Sequence, residues 1–566
     1  MAFIDIIKRG KDADNPVDDI PPLLKLFPLG LQHVMAMYAG AVAVPLIVGG
    51  AMVKAGQMTD DEIIHLITAD LFVAGIATLL QSVGFWRFGV RLPLMQGVTF
   101  AAVSPMITIG TNHGITHIYG AVIASGIFML AMAPVIGKLI RFFPPLVTGT
   151  IILIIGVSLM GVAAGWVGGG TKLGEGFGTP KAIGFAFLTL AIIIALEKLA
   201  PAAIKRVSIL VGLVAGTLIS IPFDMPTWDK VGESPWVAVP QPFYFGLPAF
   251  DLSSIIALCI VALVIMTETT GDIVAVGEIV ERKITPQRLA DGMRADGAGT
   301  ILGGIFNVFP YTAFAQNVGL VAITGVKTRH VASCAGVILV LLGLLPKMAA
   351  VIEGIPQPVL GGAGIALFGM VAASGVRTLT KVKFNNTNIL VVALSVGVAM
   401  LTEVGLSYTD QATKQDIALD LYHQFPDWFQ TIFHSGISAG ALVAILLNLL
   451  LNTKSTSPDP VDYHNTGEID VATADGLSAH DGPRGRAFDP RDLLTAADPD
   501  TPAATLKHLA ESDAGLHPFI VTNPSASKEL VDWIVSQEDP RVMRLVSKWD
   551  GVTDGKFSER GESATT

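Results

Sequence analysis

Long apolar stretches separated by short polar loops run along this chain from about residue 28 to residue 453. An α-helix needs about 20 apolar residues to cross the hydrocarbon core of a membrane, so each stretch predicts a spanning or near-spanning helix. We find fourteen, at roughly 28–51, 62–84, 92–110, 117–140, 143–169, 179–200, 207–223, 251–280, 293–309, 312–326, 330–352, 356–376, 386–405 and 428–453. The pattern predicts an all-α polytopic membrane protein.

Seven of these stretches lie in each half of the membrane region. Because seven is odd, the two halves must have opposite orientations in the membrane. This is the arrangement of an inverted repeat. The third segment of each half is irregular: Pro93, Gly97 and Pro105 interrupt 92–110, and Pro310 and Gly325 bracket 312–326. Broken segments at matching positions indicate the substrate site of a transporter.

Each broken segment opens with an extended run, 92–100 or 309–315, that contains the Val, Thr, Phe and Tyr residues typical of strands. If the two runs pair as short antiparallel strands, their backbone groups are satisfied inside the protein. The half-helices that follow would then direct free N–H groups and partial positive charge towards a ligand at the midplane. Re-entrant or kinked helices without a ligand are the alternative.

Glu268 and Asp272 lie four residues apart in an apolar stretch, so a helix places both carboxylates on one face. Two neighbouring carboxyl groups in a low-dielectric environment can exchange a proton near neutral pH, which suits proton coupling. At ~1.5 Å per residue, Glu268 lies on the order of 20 Å from Arg282, the first basic residue beyond it. A solvated pair at the end of the span is the alternative.

Gln316 and Asn317 form an amide pair in a segment hydrophobic enough for lipid, where polar side chains usually mark a site. The planar donors and acceptor of Gln316 match the edge of a heterocycle, while Asn317 can hold neighbouring backbone, by capping the half-helix or bridging the strands. Helix–helix contact is the alternative role for both amides.

Five further residues are candidates for this site. Phe100, Phe314 or Tyr311 could stack on a flat ring, although core packing is commoner for aromatic side chains in membranes. The first-span His33 could hydrogen-bond a carboxylate or the broken segment, or be purely structural. Asp296 is either a buried partner of the site or the N-cap of the ninth span.

Composition agrees with a membrane protein, since 51% of the 566 residues are hydrophobic and 15% are charged. Lys and Arg concentrate in alternate short loops, which predicts that both termini are cytoplasmic. Cys259 and Cys334 lie in apolar spans and suggest neither a disulfide nor a metal site. We see no cleaved signal peptide and no cluster of basic residues that would indicate nucleic-acid binding.

The net charge of −10 belongs to the C-terminal tail, because residues 455–566 hold 20 acidic and 10 basic residues and the rest of the chain holds 27 of each. An Asp-Pro motif near residue 498 is echoed 25 residues later by an Asn-Pro motif, which suggests two stacked helical repeats. We therefore expect a cytoplasmic N-terminal segment (1–20), a transporter domain (21–454), a disordered linker (455–490), a small helical module like a variant leucine-rich repeat (491–550) and a disordered tail (551–566).

These features together resemble the nucleobase–ascorbate transporter family, also called nucleobase:cation symporter family 2. Its signature, Gln/Glu/Pro-Asn-x-Gly-x-x-x-x-Thr followed by Gly, Arg or Lys, is filled by Gln316, Asn317, Gly319, Thr324 and Gly325. The resemblance covers residues ~20–453 in span count and in the placement of the broken segments. It implies a seven-plus-seven inverted repeat, divided into a core (spans 1–4 and 8–11) and a gate (spans 5–7 and 12–14). It also implies a homodimer and elevator-like motion.

The resemblance also implies roles for single residues. Glu268 would bind the base, with Gln316, Phe100, Thr99 and Phe314 as further substrate-binding residues. Support of the site and coupling of the proton would fall to Asp272, Asp296, His33 and Asn317. A glutamine at the first signature position favours xanthine or uric acid, and Thr99 before the third-span aromatic leans towards urate.

The sequence therefore predicts a bacterial plasma-membrane symporter that couples xanthine or uric acid uptake to protons rather than sodium, without a cofactor or a metal. Uracil or another nucleobase, and an inorganic-anion exchanger of the same fold, are alternatives. A membrane hydrolase lacks the nucleophile or metal ligands it would need near the two carboxylates. The C-terminal module would bind an unidentified cytoplasmic protein or report ligand binding.

Overall fold

A computed structural model describes residues 16–136, 143–169, 177–403, 406–409, 416–419, 424–433, 435–452, 496, 501–512, 516–517, 520, 523 and 526–537. The predicted linker (455–490), the predicted tail (551–566) and most of the predicted N-terminal segment lie outside the described residues. The chain divides into two compact units, Met1–Ser457 and Pro458–Thr566.

Helices dominate the first unit. Its first half contains α1 (Leu23–Lys54), α2 (Asp60–Val83), α3 (Val103–His113), α4 (Ile115–Met132), α5 (Pro145–Ser158), α6 (Met160–Val167), α7 (Pro180–Leu199), α8 (Ala202–Lys205), α9 (Ser208–Ser220) and α10 (Asp229–Glu233). Its second half contains α11 (Leu252–Ile279), α12 (Pro286–Ile305), α13 (Ala315–Thr324), α14 (His330–Gly343), α15 (Pro346–Glu353), α16 (Gln357–Leu379), α17 (Asn386–Glu403), α18 (Asp427–Phe433) and α19 (Gly436–Asn452).

Within the described residues, four short strands accompany these helices: β1 (Gln96–Val98), β2 (Tyr311–Ala313), β3 (Leu406–Thr409) and β4 (Asp416–Leu419). The pairs β1–β2 and β3–β4 are both antiparallel. The pairing of β1 with β2 joins the two broken segments, which confirms the prediction of short strands there.

Among the described residues, seven helical segments are long and apolar enough to cross a membrane, or eight if the bent pair α14 and α15 forms one span. Shorter apolar helices, including α9, α13, α17 and α19, coincide with further predicted stretches. The chain is therefore a mostly helical, multi-pass membrane protein.

Helix packing in the first unit follows two groups. In one group α2 packs against α14, α4 packs against α11 and α12, and α1 packs against both α2 and α14. In the other group α16 packs against α5, α6 and α7, while α17 packs against α19. The β1–β2 pair contacts α2, α11 and α12, so it belongs to the first group.

Glycine allows the closest of these helix contacts. A Cβ at Gly126 of α4 would lie 2.8 Å from the carbonyl oxygen of Gly297 on α12, and the reverse substitution would place a Cβ 2.9 Å from the Gly126 oxygen. Small residues let helix backbones approach in membrane proteins, where packing drives helix association. This contact holds α12, which carries Asp296, against α4.

The second unit contains α20 (Ala503–Ser512) and α21 (Lys528–Val535). Leu506, Ile520 and Ile534 are fully buried in its own small apolar cluster. Such a cluster is what paired helical repeats need, because one amphipathic helix cannot bury its apolar face alone.

Candidate functional site

The paired strands determine where the half-helices begin. Gln96 lies opposite Ala313, Gly97 opposite Thr312 and Val98 opposite Tyr311. The ladder continues beyond both strands, because Thr99 N donates to Pro310 O at 3.0 Å and Phe314 N donates to Met95 O at 3.0 Å. Backbone groups at this depth are thus satisfied within the protein, as they must be away from water. A 3-10 turn at Phe100–Ala102 and then α3 follow β1, and α13 follows β2.

Gln316 lies in the first turn of α13 and borders a cavity of about 280 Å³. The same cavity is lined by Phe314, just before α13, and by residues 35–37 and 39–40 of α1. The volume is near the ~300 Å³ at which small-molecule pockets begin. Gln316 therefore borders a space large enough for a small flat molecule.

Asn317 does not line this cavity, and its side chain contacts α1. Its Nδ2 donates to the carbonyl oxygen of His33 at 2.9 Å and lies 3.1 Å from the Nδ1 of the same residue. Both residues are buried. Asn317 thus holds α13 against α1 and neither caps the half-helix nor bridges the strands. The sequence left two hydrogen-bond partners possible for His33, a carboxylate or the broken segment. The structure shows a contact with the broken segment, through Asn317.

Glu268 and Asp272 lie on α11, and both are half-buried. Asp272 is close enough to Glu268 and Asp296 for their charges to interact. Thr269, next to Glu268, accepts a hydrogen bond from Ala313 N at 3.1 Å, and its hydroxyl lies 3.2 Å from that of Thr312. These contacts fasten the acid-bearing part of α11 to β2.

Asp296 is fully buried in the middle of α12 and is therefore not an N-cap. The helix begins at Pro286, earlier than the apolar stretch suggested, and Thr285 caps it by accepting a hydrogen bond from Arg288 N at 3.2 Å. Gln81 Nε2 donates to Asp296 Oδ1 at 3.1 Å. The N-cap alternative for Asp296 is therefore wrong, and its role as a buried partner of the site stays a prediction.

Gln96 is a second buried amide near Asp296. Gln96 and Thr269 both lie beside the Asp296 carboxylate, although neither amide atom of Gln96 reaches hydrogen-bond geometry with any described residue. Its backbone N–H donates to the Thr78 hydroxyl at 2.9 Å. The strand is therefore anchored to α2 through its backbone.

The three aromatic candidates have different surroundings. The Phe100 ring meets Phe368 of α16 edge-on, with centroids 5.9 Å apart. A Cβ on Gly40 would lie 3.0 Å from Phe314 and 3.8 Å from Phe100, so these two rings converge beside α1. The Tyr311 hydroxyl instead donates to Asp70 Oδ1 at 2.7 Å on α2. Phe100 and Phe314 remain candidates for stacking on a ligand. Tyr311 instead attaches β2 to α2 through its hydroxyl group.

Thr99 is 1% exposed, and its hydroxyl accepts a hydrogen bond from Ala101 N at 3.1 Å. It therefore caps the 3-10 turn that carries Phe100. This contact links Thr99 to the position of the Phe100 ring.

The sequence interpretation missed four polar side chains that surround the strands: Asp70, Gln81, Gln96 and Thr269. Each is fully buried. Polar residues at membrane depth are costly, so Asp70 and Gln81 within an apolar helix were a usable signal. The spacing within one helix does not show which neighbours such a residue meets.

Comparison with known proteins identifies the family of the chain. A permease family model matches residues 24–406, and a leucine-rich repeat variant domain model matches residues 490–548. The chain is 44% identical over 432 residues to the xanthine permease of Bacillus subtilis (strain 168), covering 76% of this chain and 94% of the relative. It is 42% identical over 461 residues to the uric acid transporter UacT of Escherichia coli (strain K12), covering 80% and 92%.

A third relative, the uric acid permease PucJ of Bacillus subtilis (strain 168), is 40% identical over 435 residues, covering 76% of this chain and 93% of its own. Among solved structures, the transmembrane domain of the cyanobacterium bicarbonate transporter BicA aligns with a TM-score of 0.49 at 17% identity, over 67% of this chain and 96% of that one. The sequence relatives are named as permeases and transporters, not as enzymes. The chain belongs to the nucleobase–ascorbate transporter family, in its xanthine and uric acid permease branch.

Proposed function

We propose that this protein is a secondary active transporter that takes xanthine or uric acid into the cell together with protons. The observation that carries the proposal is the β1–β2 pair, which starts α13 beside a cavity and places Gln316 and Phe314 on its wall. The named substrates of the three relatives supply the chemical class.

In this proposal Gln316 and Glu268 read the polar edge of the purine, and Phe100 and Phe314 contact its faces. A planar amide offers two donors and an acceptor, which complement the adjacent N–H and C=O groups of an oxidised purine. The α13 N-terminus adds partial positive charge. Asn317 and His33 hold α13 in place by their hydrogen bond.

The acids on α11 and α12 would carry the coupling proton. Asp272 and Asp296 lie within each other's electrostatic reach, and the second carboxylate oxygen of each has no hydrogen bond to a described residue. A proton on this cluster relieves the repulsion between like charges. Proton binding and the position of Glu268 would thus be linked.

The proposal includes fourteen spans as an inverted repeat, with both termini cytoplasmic and two chains forming a dimer. The two packing groups support a core (spans 1–4 and 8–11) and a gate (spans 5–7 and 12–14). The cavity between α1 and α13 on one side and α9 and α16 on the other lies where a core would slide past a gate. An elevator-type motion would carry the site across the membrane.

Uptake of labelled purines in cells without their own purine carriers tests the proposal. We expect xanthine or urate uptake, reduced about 10- to 100-fold by Glu268→Gln and by Gln316→Ala, because each removes a hydrogen bond to a polar ligand. Glu278→Gln at the exposed end of α11 and Gln241→Ala in an exposed loop are matched controls. Unchanged uptake in both site variants would refute the site.

The coupling ion needs a separate measurement. A protonophore should abolish accumulation, whereas replacement of sodium should not change it. Uptake that resists the protonophore and requires sodium would remove the proton from the proposal. Competition by a panel of unlabelled purines and pyrimidines then ranks xanthine, urate and uracil.

A further inference from the structure

A pair of cations borders the same cavity as Gln316. Lys205 ends α8, Arg206 follows it, and both are half-buried residues of the cavity wall. Neither side chain has an ion pair with any residue that the structure describes. Two positive charges in a partly enclosed space attract an anion.

One nearby acid can offset only one of the two positive charges. Glu197 also lines the cavity, and its carboxylate accepts a hydrogen bond from the buried Ser208 hydroxyl. Two cations against one carboxylate leave the wall with a net positive charge. Ser208 and the two residues after it also line the cavity, so the first turn of α9 adds its free N–H groups to that charge.

We propose that Lys205 and Arg206 form an anion subsite that selects the deprotonated form of an oxidised purine. The inference rests on the proposed function, and it adds a specificity element on the α8–α9 side of the cavity. Uric acid loses its first proton at a lower pH than xanthine does. In mildly acidic solution uric acid is therefore mostly a monoanion, whereas xanthine is neutral. The cation pair therefore favours urate where Gln316 alone would read similar edges of both rings.

Equilibrium binding of labelled purines to the purified full-length protein in detergent tests this subsite. We expect the Lys205→Gln/Arg206→Gln double variant to raise the Kd for urate about tenfold at low salt, since two nearby charges are lost. Binding of neutral xanthine at mildly acidic pH should change by less than about twofold. Added salt should weaken urate binding to the unaltered protein more than to the variant.

Two controls separate charge from folding. Lys198→Gln removes an exposed lysine of α7 that does not line the cavity, and it should leave the urate Kd unchanged. Lys205→Arg/Arg206→Lys keeps both charges and should retain urate affinity. An equal loss for urate and neutral xanthine, or no loss for urate, would overturn the subsite.

The same assay distinguishes this inference from the proposed function. If the unaltered protein binds both purines and the double variant matches it, the subsite fails and the proposed function stands. If the unaltered protein binds neither purine, both fail. Anionic phospholipid is added in a parallel series, because a lipid phosphate could occupy the same cations. An effect of the double variant that appears only with that lipid would refute purine selection.

Discussion

The two broken segments share a backbone design but use their amides in different ways. Gln96 lies within β1, fully buried beside Asp296, whereas Gln316 lies after β2, half-buried at the cavity. A residue inside the strand pair is surrounded by the helices that support it, and a residue in the first turn of the half-helix can border the cavity. Sequence symmetry between the halves therefore does not imply equal roles.

The contacts that attach the two broken segments to neighbouring helices also differ. The first segment is fastened to α2, where Thr78 accepts a hydrogen bond from the backbone of Gln96. The second is fastened to α2 through Tyr311, to α11 through Thr269 and to α1 through Asn317. Because the second segment is held on both sides of Gln316, we expect its geometry to be the more sensitive of the two to loss of a side chain.

The contact between the two segments should be the most sensitive point of all. A Cβ at Gly97 would lie 2.3 Å from Phe314 Cε2 and 2.9 Å from Met37 Cε, so Gly97→Val must displace the ring or separate the strands. We expect a loss of about 3 kcal/mol in stability, at the upper end of overpacking effects, and no uptake. Thermal unfolding of the purified protein and purine uptake measure this.

Gly184→Val is the control, because a Cβ at Gly184 of α7 meets nothing within 4 Å. It should retain uptake and unfold near the original temperature. Equal unfolding temperatures for the two variants would show that the strand contact is not tightly packed.

The tie between α13 and α1 comes next in size. Asn317→Ala removes both contacts with His33 and leaves the His33 carbonyl without this donor, at a cost of about 2 kcal/mol. His33→Ala should cost less, because Asn317 keeps the bond to the backbone oxygen. Unfolding of both single variants and of the double variant measures the coupling, with exposed Asn386→Ala as control. Additive costs would contradict the contact between Asn317 Nδ2 and the His33 ring, which is the only one that His33→Ala removes.

Much of this arrangement could be predicted from periodicity and composition. The apolar stretches located the helices, and Pro310 with the Val, Thr and Tyr content located the strands. Pairing of β1 with β2 followed from the need to satisfy backbone groups at membrane depth, and the structure confirms it. The permease branch followed from the signature that begins at Gln316, and the relatives confirm it.

Side-chain partners could not be predicted in the same way. Asp296 follows a polar first turn, so the sequence left an N-cap open, although Thr285 followed by Pro286 is itself a strong helix start. Gln81 meets Asp296 across 215 positions of sequence. No local pattern encodes a contact at that separation, because it depends on how α2 and α12 pack.

Substitution of the two amides by leucine tests their difference directly. Gln316→Leu should raise the KM for purine uptake about tenfold, because the ligand loses a polar partner. Gln96→Leu should leave KM within about twofold, because the side chain is fully buried within the strand pair and has no hydrogen bond to a described residue. A decrease in the maximal rate of Gln96→Leu would then indicate a changed environment of the Asp296 carboxylate, which lies beside Gln96. Equal increases in KM would show that both amides contact the purine.

The smallest effect is expected at Thr99, where the family resemblance implies discrimination between xanthine and urate. The hydroxyl is occupied in capping the 3-10 turn, so Thr99→Ser should keep the ratio of xanthine to urate uptake, and Thr99→Ala should cost about 1 kcal/mol of stability. If Thr99 acts through Phe100, Phe100→Leu should abolish whatever change in ratio Thr99→Ala produces. A ratio that changes in Thr99→Ser while stability does not would instead mean that the hydroxyl itself contacts the purine. The first segment would then read the ligand as the second does, and the two segments would differ less than their contacts imply.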